Sequence, residues 1–88
     1  MVTRTVIFRC DDDWQMKSAA LLTQKASAYR ASIFLGKDER RANAKSLLGV
    51  MSLGMMDGDE LVVSVDGEDE QAALDVVAGY LEQAEKDQ

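Results

Sequence analysis

The sequence predicts an α+β fold, in which a four-stranded, mostly antiparallel sheet carries helices on one face. Three observations support this class. β-branched and other apolar residues dominate residues 2–8 and 61–65, as they do in strands. Two other segments repeat apolar residues at helical spacing, and the connections between the segments are short. The 88 residues suffice for one core, so we expect a single domain over residues 1–88.

The first half of the chain is predicted to run strand, helix, strand, strand. Residues 2–8 form the first strand, and a helix begins at Met16. Residues 32–35 and 40–44 form two further strands, joined by a turn at residues 36–39, which contain Gly, Lys, Asp and Glu. The helix repeats apolar residues on one face, and these are Ala19, Leu22, Ala26 and Tyr29.

A short helix is predicted after Ser46, whose hydroxyl can accept a hydrogen bond from a backbone N–H and so cap the helix. The apolar residues that follow make about two turns, and they are Leu47, Leu48, Val50 and Met51. Gly54 is a plausible end of this helix or of its connection. We expect Leu47 and Met51 to be partly exposed, and Met55 and Met56 to fill the core.

The last part of the chain predicts a turn at residues 56–59, a strand at residues 61–65 and a long helix. Acidic residues at 68–70 load the first turn of this helix, where the helix dipole favours them. Gly79 costs up to about 1 kcal/mol relative to Ala inside a helix, so we expect a packing reason for it or a frayed end. The predicted buried stripe comprises Leu74, Val77, Leu81 and Ala84.

Composition argues against several classes of function. The formal charge of −6 argues against nucleic-acid binding, and no apolar run approaches the roughly 18 residues of a membrane span. A single cysteine, Cys10, cannot form an internal disulfide, which fits a cytoplasmic location, and we expect it to be half-buried. The absence of histidine argues against a transition-metal site. We expect no cofactor and no metal, and we interpret residues 11–13 as a solvated acidic loop.

Three segments, at residues 26–29, 43–54 and 67–74, resemble the HPr phosphocarriers of the bacterial phosphotransferase system. The predicted element order is also that of the HPr fold. This resemblance implies an open-faced β-sandwich with the order β-α-β-β-α-β-α, a four-stranded antiparallel sheet and three helices. The segment at residues 43–54 corresponds to the regulatory-serine region of these proteins.

The phosphate-carrying motif of the HPr family, Gly-x-His-Ala-Arg-Pro-Ala, is altered in this chain. An alignment without gaps places Gln15 at the histidine, Lys17 at the arginine and Ser18 at the proline. A glutamine amide nitrogen has its lone pair delocalised into the carbonyl, so it is not nucleophilic. We therefore predict that the chain is not a histidine phosphocarrier, has no catalytic residue and is not an enzyme.

Glutamine at the histidine position together with a retained serine resembles Crh, the catabolite-repression branch of the family. The resemblance implies that HPr kinase phosphorylates Ser46 and that the phosphoprotein binds a CcpA-like transcription factor. Phosphate adds about −1.5 to −2 charge at pH 7. Lys45 could pair with it, while Leu47 and Met51 resemble the family's docking patch. We also expect Lys17 to contact a partner, because it stands at the arginine position of the motif. The chain departs from Crh at Lys17 and Ser18, where Crh keeps arginine and proline.

Other interpretations stay open. The chain could be a diverged phosphotransferase-system component that docks on the system's enzymes without carrying phosphate, or an interaction module that is never phosphorylated. Ser46 would then serve only as a helix cap. Trp14 either anchors a partner or covers the end of the first helix. The first strand could be a sheet edge, so the assembly is either a monomer or a strand-swapped dimer.

Overall fold

The computed structural model describes residues 1–10 and 16–83, with only the backbone of Met16 and Gln83. The predicted element order is confirmed. Residues 11–13, Trp14, Gln15 and Ala84 lie outside the described part. The elements are β1 (Val2–Ile7), α1 (Met16–Ser27), β2 (Ser32–Lys37), β3 (Arg40–Asn43), α2 (Leu47–Ser52), β4 (Glu60–Asp66) and α3 (Glu70–Gln83).

The four strands form one antiparallel sheet in the order β1-β4-β2-β3. The predicted four-stranded antiparallel sheet is therefore confirmed. Alternate residues of β4 point to opposite faces of the sheet: Leu61, Val63 and Val65 are buried, whereas Val62 is exposed. The predicted stripes of α1 and α3 supply the other side of the core, through buried Ala19, Leu22, Ala26, Leu74, Val77 and Leu81. One sheet face thus packs against helices and the other stays open.

Two predicted boundaries are wrong by two residues, whereas the ends of β1, β3 and β4 differ from the prediction by one residue. The helix α1 ends at Ser27, so Tyr29 follows the helix and does not belong to its buried stripe. The N–H of Tyr29 donates to the carbonyl of Ala26 at 3.3 Å, which tightens the last turn. Gly36 and Lys37 belong to β2, because they pair with residues of β3. The hairpin turn is therefore reduced to residues 38 and 39, and Asp38 adopts a φ of 56°, which Asp tolerates better than most residues.

Burial of the sulfur-containing residues agrees only in part with the sequence. Met55 is buried and Met56 is 66% exposed, so the prediction that both fill the core is wrong for Met56. The N–H of Met56 donates to the carboxylate of Asp59 at 2.8 Å, which holds this residue in a surface turn. Cys10 is buried rather than half-buried.

No helix of the described ranges has the length and apolar character to cross a membrane.

The two glycines of the α3 region have different roles. A Cβ on Gly79 would have no neighbour within 4 Å, so the expected close packing there is absent. Gly67 has a φ of 153°, and a Cβ on it would lie 2.7 Å from Cα of Ala31. Only glycine fits at that position. The approach is held by Asp69, whose carboxylate accepts the N–H groups of Arg30 and Ala31, each at 2.9 Å.

Candidate functional site

Ser46 stands on the surface as the cap of α2. Its Oγ accepts the N–H of Gly49 at 3.1 Å, and its backbone is extended, with φ −107° and ψ 115°. The preceding turn is closed by Asn43, whose side-chain oxygen accepts the N–H of Lys45 at 2.8 Å. The predicted capping role is therefore confirmed, and the hydroxyl is held at an exposed position of defined geometry.

The exposed side of α2 carries apolar side chains. Leu48 is 83% exposed and Met51 is 41% exposed, whereas Leu47 is partly buried against the core. Val50 is fully buried and anchors the helix on the domain. Because α2 has only six residues, a single buried residue leaves most of its circumference uncovered. The exposed side of α2 therefore combines one hydroxyl with an apolar surface, which is typical of a docking site.

Lys45 precedes the serine and points its ammonium towards α1. Its Nζ donates to the backbone carbonyl of Tyr29 at 2.7 Å. The pKa of Asp69 is held below its ordinary value mainly by the hydrogen bond from the N–H of Arg30, and the charge of Lys45 adds to this effect. Lys45 thus joins the segment after α1 to the turn before Ser46. To pair with a phosphate on Ser46, it would have to leave this carbonyl.

Lys17 is exposed in the first turn of α1, next to the described boundary of the chain. Gln15 lies outside the described residues, so its place at the histidine position of the family stays a prediction. The start of α1 is tied to α3 by Tyr80, whose hydroxyl donates to the carbonyl of Ser18 at 3.1 Å. The ammonium of Lys25 lies 5.5 Å from the centre of the Tyr80 ring. These contacts hold α1 against α3.

The loop after α2 is held by contacts with the end of β2 and with the segment after β1. The ammonium of Lys37 donates to the carbonyl of Gly54 at 2.6 Å and forms a salt bridge with Asp59 at 2.8 Å. The Lys37 hydrogen bond and the N–H of Met56 keep the pKa of Asp59 below its ordinary value. Asp57 accepts the N–H of Cys10 at 3.0 Å. The C-terminal end of α2 is therefore as well supported as its capped start.

The arrangement places an exposed hydroxyl and exposed apolar side chains on the same short helix. Within residues 1–10 and 16–83, no group of three or more histidine, cysteine, aspartate or glutamate residues is placed to hold a metal ion. The structure brings Lys45, Leu47 and Met51 together with Ser46 on or beside α2. Sequence reasoning missed the role of Leu48 in this surface. Helical periodicity could have indicated it, because Val50 and Leu48 lie on different sides of so short a helix.

Comparison with known proteins yields consistent similarities. The family described as "PTS HPr component phosphorylation site" matches residues 2–83. The chain is 40% identical over 83 residues to the HPr-like protein Crh of Bacillus subtilis (strain 168), covering 94% of this chain and 98% of that relative. The structure of HPr-C-His from Thermoanaerobacter tengcongensis is 31% identical, with a TM-score of 0.90 and coverage of 100% and 99%. The swapping-domain dimer of B. subtilis Crh is 39% identical, with a TM-score of 0.76 and coverage of 97% and 98%.

Proposed function

Because the chain belongs to the HPr family of the phosphotransferase system, we propose that it is a cytoplasmic regulatory protein of the Crh kind. HPr kinase phosphorylates Ser46, and the phosphoprotein binds a CcpA-like transcription factor in carbon catabolite repression. It is neither an enzyme nor a histidine phosphocarrier. The observation that carries this proposal is the exposed Ser46 hydroxyl beside exposed apolar residues, in a chain that contains no histidine.

The geometry of α2 supports modification at Ser46 rather than at the other serine of this segment. The Oγ of Ser46 accepts a single N–H from Gly49, so its proton is not used in a hydrogen bond within the described residues. Ser52 donates its own proton to the carbonyl of Gly49 at 3.0 Å. A kinase that binds the apolar side of α2 would meet Ser46 at the start of the helix.

Incubation with HPr kinase and ATP, followed by mass spectrometry, tests this site. We expect one phosphate on the wild-type chain, located on Ser46. The variant Ser46→Ala should take up none, whereas the matched variant Ser52→Ala, a serine of the same exposed helix, should be modified as the wild type is. Phosphate on Ser46→Ala, or none on the folded wild-type chain, would contradict the proposal.

The loss of phosphocarrier activity needs a separate assay, because a serine phosphate and a histidine phosphate differ in stability. Incubation with enzyme I and phosphoenolpyruvate should leave the chain unmodified, since a glutamine amide cannot accept the phosphoryl group. Acid-labile phosphate on this chain would contradict that expectation. An HPr protein treated in parallel provides the positive control.

Partner binding is expected to depend on the exposed side of α2. The variant Leu48→Ser removes an exposed apolar side chain and should weaken binding of the phosphorylated chain to a CcpA-like regulator by about tenfold or more. Val76→Ser, an equivalent change on the exposed part of α3, is the control and should leave binding unchanged. Lys45→Ala is expected to weaken it through a lost phosphate contact, and Lys17→Ala through a lost partner contact. Equal losses for Leu48→Ser and Val76→Ser would argue against docking through α2.

The alternative function is that of a phosphotransferase-system component that docks without carrying phosphate. An unmodified chain that binds enzyme I, and that HPr kinase does not modify, would favour this alternative. The assembly state has two proposals as well, monomer and dimer with exchanged β1 strands, the second being motivated by the swapping-domain dimer of Crh. Light scattering at high concentration distinguishes the mass of one chain from that of two.

A further inference from the structure

The open face of the sheet, opposite the helices, carries a groove that the proposed regulatory function does not use. We propose that this groove binds an extended segment of a partner protein in which an apolar residue and an acidic residue are separated by one residue, so that both side chains face the sheet. The proposal does not depend on phosphorylation of Ser46, because α2 packs with the other helices on the opposite side of the sheet. The chain would then contact two partners at the same time.

The groove runs over the centre of the sheet. Two adjoining cavities of about 390 and 180 Å³ share Met1, Phe34, Arg41 and Ser64 in their walls. The floor is shaped by Gly36, which pairs with Val62 on one side and Arg41 on the other, and which has no side chain to fill the space between them. Between Ser32 and Gly36 the groove follows β2 for about 13 Å, the length of four extended residues.

Two apolar side chains line the centre of the groove. Val62 is 40% exposed, and the ring of Phe34 is only partly covered. Apolar side chains in the centre of an otherwise polar surface indicate contact with other molecules when they line a concave site. An extended segment presents a side chain to the sheet at every second residue. An apolar residue of the segment would therefore contact Val62 beside Gly36, and the residue two positions along would lie over Phe34, two positions before Gly36 on β2.

The charge requirement comes from Arg41. Its guanidinium lies 4.2 Å from the centre of the Phe34 ring. This stacking holds the N–H donors of the guanidinium in place, so that less side-chain entropy is lost when they bind a ligand. Neither Arg41 nor the adjacent Arg40 forms a salt bridge with any residue that the structure describes, although the chain contains 16 acidic residues. A carboxylate on the residue that lies over Phe34 would receive paired hydrogen bonds from this preorganised guanidinium.

The two ends of the groove carry no excess of positive charge. Asp38 and Glu39 outnumber Arg40 at one end, and at the other end Asp66 is paired with the amino group of Met1, 3.4 Å from its carboxylate. A segment that is acidic throughout would gain nothing from its outer carboxylates and would be repelled at the first end. The charges therefore specify a partner segment with an acidic centre and neutral or basic ends, and this pattern defines the probe.

The probe is the acetylated and amidated peptide Lys-Thr-Val-Thr-Glu-Thr-Lys, in which Val and Glu face the same side of an extended chain. It is titrated into isotope-labelled protein and followed by NMR chemical shifts. We expect shifts centred on Gly36, Arg41 and Ser64. The control peptide with glutamine in place of glutamate should bind about tenfold more weakly. This control excludes general attraction, because it is the more basic peptide and would bind an acidic protein better on charge alone.

Three variants complete the test. Arg41→Glu should weaken binding by about tenfold or more, whereas Arg30→Glu, the same charge change at another exposed position, should not. Gly36→Val fills the floor of the groove and should also weaken binding. The variant is compatible with the fold because a Cβ at this position meets its nearest neighbours at 3.8 Å. Equal binding of both peptides, shifts confined to α1 and α2, no shift at millimolar peptide, or competition by inorganic phosphate would each overturn the proposal.

Discussion

Replacement of Ser46 separates the structural role of this serine from its proposed role as a phosphate acceptor. In Ser46→Ala the N–H of Gly49 loses the acceptor that lies 3.1 Å away. Capping serines contribute about 1 kcal/mol to stability, and at an exposed site no apolar burial is lost in addition. For a domain of this size, about 1 kcal/mol corresponds to a fall in Tm of about 4 to 8 °C.

The variant Ser46→Asp provides the comparison, because aspartate caps a helix as well as serine does but cannot be phosphorylated by a serine kinase. Its free energy of unfolding should lie within about 0.5 kcal/mol of the wild-type value. Ser52→Ala should cost less than about 0.5 kcal/mol, as surface changes usually do. Urea unfolding followed by circular dichroism measures all three. If Ser46→Ala is as stable as the wild type, or Ser46→Asp as unstable as Ser46→Ala, the capping argument is wrong.

Two further predictions concern the loops that support the site. Gly67→Ala should lower the free energy of unfolding by about 1 to 3 kcal/mol, because its Cβ would collide with Ala31 in a backbone conformation that alanine avoids. Gly79→Ala, which meets nothing within 4 Å, should raise it by up to about 1 kcal/mol in the same urea experiment; a loss at both positions would argue against the steric explanation. The lowered pKa of Asp59 stabilises the fold fully above the ordinary value of 3.8, and this contribution is lost as the pH falls through the lower folded value. Stability should therefore fall more steeply on acidification below pH 3.8 in the wild type than in Asp59→Asn, whereas parallel curves from urea unfolding at stepped pH would show that the salt bridge with Lys37 contributes nothing.

The sequence predicted what depends on neighbours in the chain. The cap at Ser46, the buried stripes of α1 and α3 and the element order follow from local spacing, and the structure agrees. The end of α1 could not be placed in this way, because Tyr29 continues the apolar period after the helix has stopped. The stop coincides with Asp69, which binds the N–H groups of the following residues from 38 and 39 positions away.

The site shows the same division. That Ser46 begins α2 is local information, whereas the contact of Lys45 with the carbonyl of Tyr29 depends on how α1 and β3 are placed in space. The exposure of Leu48 could be predicted from helical periodicity, because Leu48 and Val50 lie on different sides of α2. The exposure of Met56 could not, because it depends on the turn that Asp59 closes after α2.

The strand order also determines when each part of the sheet can form during synthesis. The strands β2 and β3 make a hairpin from adjacent residues and can pair as soon as both have left the ribosome. In the described sheet β1 has β4 as its neighbour, with Val2 opposite Val65, so the strand made first waits until most of the chain has been synthesised. During that interval an unpaired β1 of one chain can meet the β4 of another newly made chain. The rate of synthesis and the local concentration of nascent chains therefore influence which β4 it joins.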